Sequence, residues 1–401
     1  MAMAIKTQNI KIFALGALGV GLSGSDRIFI EFARRWSKKS KINIYLWTEG
    51  YQMCQKQNLK SKNIIYKTSS MKPWSDLGFV VNYFARIIEG IRLGLSIKLQ
   101  NKKETILYSA SDFWMDTLPC FILKIRYPNI KWVATWYQTA PNPFRGYAEG
   151  AREEKYRFKA LLYWLSQFPI KPIISKFSDF VLVNNEGERK EFPGLDKKGK
   201  TIVVLGAVDV KKIENWKFIN KNLPKVYDAV FQGRFHPQKG VVEIIEIWKK
   251  VVVKNKNAKL VMIGDGPLMK NVKSKIKDAK LEDNIDLLGY VFDGDKKYQT
   301  FSESKIVVHP ALYDSGGMAS AEAMAFGIPC IGFDLKSYSS YYPKGMIKVK
   351  IGDLDEFAKE ILNLLSNNKI REKIGKEALE MISKNWSWDL RAREVLEHVK
   401  D

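Results

Sequence analysis

Cysteine is scarce in this chain. Cys54, Cys120 and Cys330 are the only three in 401 residues, and no two form a CxxC pair. Such spacing excludes a disulfide framework and a thiolate zinc site, and points to a reducing compartment. No cluster of His, Cys and carboxylates stands in for one, so neither a metal nor a cofactor is expected. Asp293-Gly-Asp295 has DxD spacing but reads as the cap of a helix over 296–302. Long apolar runs are also lacking. The run at 10–22 is short and glycine-rich and has no signal-type cleavage site. It reads as a buried strand and loop, and no membrane-spanning segment is expected. There is no long repeat, no low-complexity tract and no recognised nucleic-acid module, so nucleic acid is not an expected partner.

Positive charge, in contrast, is in excess. The net charge is +23, and 46% of the residues are hydrophobic, which is a globular composition. Residues 1–200 hold 33 Lys+Arg against 16 Asp+Glu, a net +17; residues 201–401 hold 33 against 27, a net +6. The field of the first half attracts polyanions: an anionic bilayer, nucleic acid or a pyrophosphate-bearing substrate. An anionic leaflet contributes about 1 kcal/mol per nearby Lys or Arg. The chain is therefore expected in the cytoplasm, with an anionic membrane surface among its partners.

Length alone suggests two domains. Short apolar runs at 10–15, 42–47, 63–67, 105–109, 132–137, 180–183 and 202–205 alternate with amphipathic stretches. The polar stretch 209–226, with Pro224, reads as a linker. Alternation resumes with strands at 229–232, 260–263, 285–288, 306–309 and 330–333, and the last sixty residues read as helical. Strand–helix alternation means βαβ units and a parallel sheet covered on both faces. Two doubly wound α/β domains facing a cleft follow: 1–208, 209–385, and a closing helix over 386–401. Ligands in such sheets bind beyond the carboxyl ends of the strands.

Several motifs fall at those ends. Gly19-Val-Gly21-Leu-Ser-Gly24 fits GxGxxG between a strand and a helix, where backbone can approach a phosphate or sugar. A dinucleotide enzyme would add an acid on the second strand, and Glu49 comes late for that. Gly233-Arg234 follows a strand, and Lys239-Gly240 opens the next helix. Arg can fork two phosphate oxygens and Lys adds a point charge. Asp314 and Glu322 flank a loop and the start of a helix. That start, at Gly317, Met318, Ala319 and Ser320, offers N–H groups to a phosphate. Glu322 precedes an apolar stretch, where an unpaired carboxylate costs several kcal/mol, and ribose hydroxyls would satisfy it. Gly264, Gly266, Tyr290 and Val291 lie in turns whose backbone can approach a nucleobase.

Two further segments fit either core packing or the headgroup plane of a membrane. The stretch 79–99 places Val80, Phe84, Ile87, Ile88, Ile91 and Leu95 on one face, for which core packing is the expected use. The stretch 157–177 mixes aromatic and basic residues and is broken by Pro169 and Pro172.

Together, Gly233-Arg234 with Lys239-Gly240, Ile263-Gly-Asp-Gly-Pro267, Leu288-Gly-Tyr-Val291 and the run from Asp314 through Glu322 to Pro329 resemble the retaining GT-B glycosyltransferases, family 4 (glycosyl transferases group 1). Residues 204–209 look like that family's interdomain strand end, and Trp386-Ser-Trp388 is similar to the start of its final helix, which crosses back to the first domain. The resemblance covers about 200–401; the first domain matches in layout and in the Gly21–Gly24 loop. It implies transfer of a sugar from a UDP- or GDP-sugar to an acceptor hydroxyl, with the anomeric configuration retained. The acceptor would be a glycan, lipid-linked or at a membrane surface. Arg234 and Lys239 would stabilise the leaving diphosphate, Asp314 would contact the sugar and Glu322 the ribose. Two residues depart from the family, which usually has Glu at 314 and, in many members, His where Tyr137 stands. Tyr137 and Asp112 would line the acceptor side, Asp112 as an orienting group or base. A Rossmann oxidoreductase using NAD(P) and a GT-B sugar-nucleotide epimerase are the alternatives.

Overall fold

The computed structural model describes residues 8–17, 22–70, 77–100, 104–147, 156–314 and 316–400. The chain divides into two compact units. One comprises Met1–Ala140, Leu162–Val204 and Trp388–Asp401; the other comprises Pro141–Leu161 and Leu205–Ser387.

The first unit is built on seven parallel strands: β1 (Asn9–Ala14), β2 (Lys41–Trp47), β3 (Ile64–Ser69), β4 (Thr105–Ser109), β5 (Lys131–Trp136), β6 (Phe180–Val183) and β7 (Thr201–Val203). Their order is β3-β2-β1-β4-β5-β6-β7. β4 and β6 are buried along their whole length, as their unbroken apolar runs require when helices cover both faces. The order turns between β1 and β4, which opens a crevice beyond their carboxyl ends. The closing helix, Trp388–Lys400, belongs to this unit. Trp36 Nε1 donates to Ala392 O at 2.8 Å, and Trp388 meets Phe32 edge-on.

The helix Phe79–Ser96 packs against the helix Trp114–Arg126 at close range. A Cβ on Gly90 would stand 2.7 Å from Met115 O, and one on Gly94 would stand 2.9 Å from Ile122 Cβ. The buried face is Asn82, Ala85, Arg86, Ile87, Glu89, Gly90, Leu93 and Gly94, so Ile87 lies in the core as expected. Val80, Phe84, Ile88 and Leu95, expected in the core, instead face solvent at 58–64% exposure. Glycines and a buried polar pair outcompete them for the inner face. Arg86 donates to Leu15 O and Ala17 O and pairs with Glu49 at 2.9 Å.

The second unit holds six parallel strands: β8 (Tyr227–Gln232), β9 (Leu260–Ile263), β10 (Ile285–Gly289), β11 (Ser304–His309), β12 (Cys330–Phe333) and β13 (Met346–Val349), in the order β10-β9-β8-β11-β12-β13. Here the order turns between β8 and β11. Two corrections arise. The segment expected as a linker forms a helix, Val210–Ile219, capped by Asp209, whose side chain accepts from Lys212 N. The edge strand β13 escaped detection because its burial is intermediate and Lys348 interrupts its apolar pattern. Val208 pairs with Ser387 in an isolated parallel bridge, joining the two ends of this unit.

Candidate functional site

β8 and β11 are neighbours at the turn of strand order in the second unit. Beyond β8 the chain reaches Gly233 and the exposed Arg234. It then makes a short 3-10 turn, Pro237–Lys239, ending at Gly240 with φ +66°. Gly240 lies so close to the segment after β11 that a Cβ would overlap Pro310 O at 1.8 Å. This approach brings Lys239 to Asp314. Nζ stands 2.5 Å from Oδ2, and the side chains are 16% and 8% exposed. His309 Nε2 lies 3.2 Å from the same oxygen, and Tyr338 Oη donates to it at 3.3 Å. Burial alone would raise the Asp314 carboxyl, but Lys239, helped by His309, holds it far below the usual carboxylate range. Burial lowers His309 despite Asp314, so its ring is neutral near pH 7. Lys239 and Asp314, expected on separate parts of a ligand, are each other's partners here.

Glu322 is also paired within the protein. It ion-pairs with Lys297, which also binds Asp293 Oδ1 at 2.7 Å, and Gln232 Nε2 donates to Glu322 at 3.2 Å. Ribose hydroxyls are therefore not needed to offset its burial. Asp293 is correspondingly not the expected helix cap. The helix Asp295–Ser302 starts at Gly294 without a side-chain cap, and Asp295 accepts from Trp216 Nε1 instead.

The helix Met318–Met324 begins at Gly317, whose φ is +58°. A Cβ on Gly316 would run into the Tyr341 ring at 2.2 Å, so this turn needs glycine. The Ser320 N–H, expected to face a phosphate, already donates to Gly317 O at 3.0 Å. Ala319 is half-buried, and the Met318 side chain packs against Gly206. Gly264 and Gly266 lace β9 to the Arg234 loop. Gly233 N donates to Ile263 O, Phe235 N to Asp265 O and Leu268 N to Phe235 O. A Cβ on Gly264 would overlap Gly233 O at 1.9 Å. Tyr290 and Phe292, each 40% exposed, meet edge-on past β10, with Val291 half-buried between them.

Lys297, His309, Tyr338 and Tyr147 are not expected from the sequence. Tyr147 is buried, with its ring edge-on to His236 and Tyr313, 5.8 Å away in each case. Burial raises its hydroxyl to about 12 although Arg234 opposes this. None of these residues lies in a motif of its own. Only His309, a polar residue closing an apolar strand, carried a local signal.

In the first unit, Asp112 and Tyr137 lie past β4 and β5. Asp112 is buried, accepts from Gln167 Nε2 at 2.6 Å and is pushed up to about 6 by burial. Tyr137, expected to line an acceptor site, is buried with its hydroxyl 2.9 Å from that of Tyr108. Asp116, one helical turn after Asp112 in sequence, accepts from Gly16 N at 2.9 Å and Ser111 Oγ at 2.5 Å, and burial pushes it up to about 7. Gly24 opens the first helix, Gly24–Trp36, behind the cap Ser23. Ser23 and Asp26 satisfy one another in a capping box there. Gly21 lies outside the described residues. Among the described residues there is no group of three or more His, Cys, Asp or Glu able to hold a metal ion.

Residues 212–381 match the family model of Glycosyl transferases group 1. Among curated proteins, the chain is 28% identical over 201 residues to poly(ribitol-phosphate) alpha-N-acetylglucosaminyltransferase of Staphylococcus aureus. The match covers 46% of this chain and 38% of that protein, so the chain spans about two fifths of that relative. Two solved structures superpose along nearly the whole chain. Anabaena HepE in complex with UDP-glucose gives a TM-score of 0.71 at 13% identity, covering 98% of this chain and 99% of that one. A variant of S. aureus TarM in complex with fondaparinux, alpha-GlcNAc-glycerol and UDP gives 0.71 at 13%, covering 98% and 100%. The fold is GT-B.

Proposed function

We propose, from the membership of residues 212–381 in the glycosyl transferases group 1 family, that this protein is a glycosyltransferase moving a sugar from a nucleoside diphosphate sugar to an acceptor hydroxyl with retention of configuration. The observation that carries this reading is the convergence of Arg234, Lys239, Asp314 and Glu322 beyond β8 and β11, where open α/β sheets bind ligands. In this reading the second unit holds the donor and the first, with the closing helix, the acceptor; the expected division at 208 differs in that Pro141–Leu161 belongs to the second unit.

Arg234, exposed at the strand end, forks the diphosphate. Lys239 adds charge as the leaving group develops its own, which is electrostatic stabilisation aimed at the transition state. A donor would draw Lys239 from Asp314 onto phosphate and leave the carboxylate for the sugar hydroxyls. Glu322, held by Lys297, presents an ionised oxygen to the ribose. The leaving phosphate oxygen takes the acceptor proton, so no enzyme nucleophile is required. The UDP and UDP-glucose complexes of TarM and HepE support a uridine donor over a guanosine one. The poly(ribitol-phosphate) acceptor named for the Staphylococcus relative, with the +17 of residues 1–200, supports an anionic or lipid-linked glycan acceptor at the cytoplasmic face of a membrane. An NAD enzyme is disfavoured, because Glu49 is engaged by Arg86.

The test is a transfer assay with UDP- and GDP-sugars, scoring nucleotide release and the anomeric configuration of the product by NMR. Release dependent on an acceptor, with an α-linked product from an α-donor, is expected. Conversion of the donor without any acceptor would establish the epimerase instead.

A further inference from the structure

Two helices of this protein turn their large apolar residues outward. On Phe79–Ser96 the stripe is Val80, Phe84, Ile88 and Leu95, preceded by Leu77 and Phe79, all 58–68% exposed. Positions 80, 84, 88, 91 and 95 fall within one quarter of a helical wheel, so this is one face rather than scattered residues. On Arg157–Gln167 and its end, the stripe is Phe158, Leu162, Leu165 and Phe168 at 49–71% exposure. Both helices border the start of Trp114–Arg126. Gly90 lies against Met115 O, and Trp114 Nε1 donates to Ser166 O at 2.6 Å. An exposed apolar stripe along a helix is uncommon on a monomer and marks a binding face.

The charge beside the stripes selects the occupant. Residues 157–178 contain Arg157, Lys159, Lys171 and Lys176 and no Asp or Glu. Arg157, Lys159 and Lys176 are exposed, while Lys171 pairs with Glu191. In 77–100, Arg92 is exposed and tied to Glu89, and Lys98 is exposed. A second copy of this chain would set like charge against like charge. A bilayer with anionic headgroups offers apolar depth to the stripes and negative charge to the cations beside them. Among the described residues no helix is long and apolar enough to cross a membrane, so binding of this kind is peripheral.

We propose that the outward stripes of Phe79–Ser96 and Arg157–Gln167 are the surface by which this protein docks on an anionic bilayer. The proposal deepens the lipid-linked-acceptor reading. Docking and sugar transfer are measured separately, so either can fail alone.

The test is vesicle flotation of the full chain with phosphatidylcholine alone or with added phosphatidylglycerol. Wild type should float with the anionic vesicles and much less with the neutral ones. Phe84→Glu, Ile88→Glu and Leu165→Glu change exposed positions and should melt like wild type, yet each should lower vesicle partitioning about tenfold by replacing an inserted apolar group with a charge. Nucleotide release from a sugar donor in the absence of vesicles should be unchanged in all three. Wild type that stays unbound to anionic vesicles at low salt would overturn the proposal, as would variants that float as well as wild type. A wild-type dimer dissolved by these substitutions, with no flotation, would assign the face to a second copy and equally overturn it.

Discussion

Lys297 is 2% exposed and balances two carboxylates, Asp293 and Glu322, across the helix beside the candidate site. Removing one partner of a buried ion pair leaves a charge without compensation, typically at roughly 3–5 kcal/mol. Lys297→Met should therefore destabilise the second unit by about that amount, as read by urea unfolding, while Lys297→Arg should retain most of it. A loss under about 1 kcal/mol would show that water, not Lys297, satisfies Glu322. The site residues readable in sequence were those whose role attaches to local spacing: Gly233-Arg234, Lys239 and the eight-residue interval from Asp314 to Glu322. The partners that set their charge come from elsewhere in the chain. Lys297 and His309 reach Glu322 and Asp314 only because β8, β11 and their helices lie side by side, and no local pattern encodes that pairing.

Strands buried on both faces were legible as continuous apolar runs, and their observed bounds differ from the expected ones by a few residues at most. Legibility failed where an element is half-covered. β13 is an edge strand, and Val210–Ile219 is a short helix with a single buried residue, Ile213. It also failed on Phe79–Ser96, because periodicity identifies an apolar face but not which way it points. Gly90 and Gly94, by allowing close approach to Trp114–Arg126, settle that direction. Turn glycines at strand ends are more exacting. Gly240→Ala places a Cβ at 1.8 Å from Pro310 O and forces φ +66° on alanine. It should cost at least ~2 kcal/mol through strain and clash and weaken nucleotide binding with it. Denaturation and nucleotide titration of this variant measure both. Binding intact in a variant of wild-type stability would mean that the Lys239–Asp314 geometry does not depend on this approach.

Across the whole molecule, buried carboxylates shape the response to pH. Burial raises Asp116 to about 7 and Asp112 to about 6, both in the first unit. Unfolded aspartate titrates near about 3.9. The folded state therefore holds more protons at these two groups between these values, so the stability they contribute is full below about pH 4 and is lost as pH rises through about 6 to 7. Denaturant midpoints should be higher at about pH 5 than at about pH 8. Asp116→Asn, which keeps an acceptor for Gly16 N, should remove much of the difference. An unchanged pH dependence in that variant would place the titration elsewhere.

On the glycosyltransferase reading, the strand ends around Arg234 bind a nucleoside diphosphate. This is tested most directly by thermal melts of wild type and Arg234→Ala with UDP, GDP, ADP, nucleotide sugars and NAD. Ligand at ~100-fold excess over Kd stabilises by about 2.7 kcal/mol, a resolvable shift. UDP or its sugars should raise the wild-type melting temperature, and the exposed Arg234→Ala variant, equally stable alone, should lose most of that rise. A wild type indifferent to every diphosphate, or responsive only to NAD, would contradict that reading.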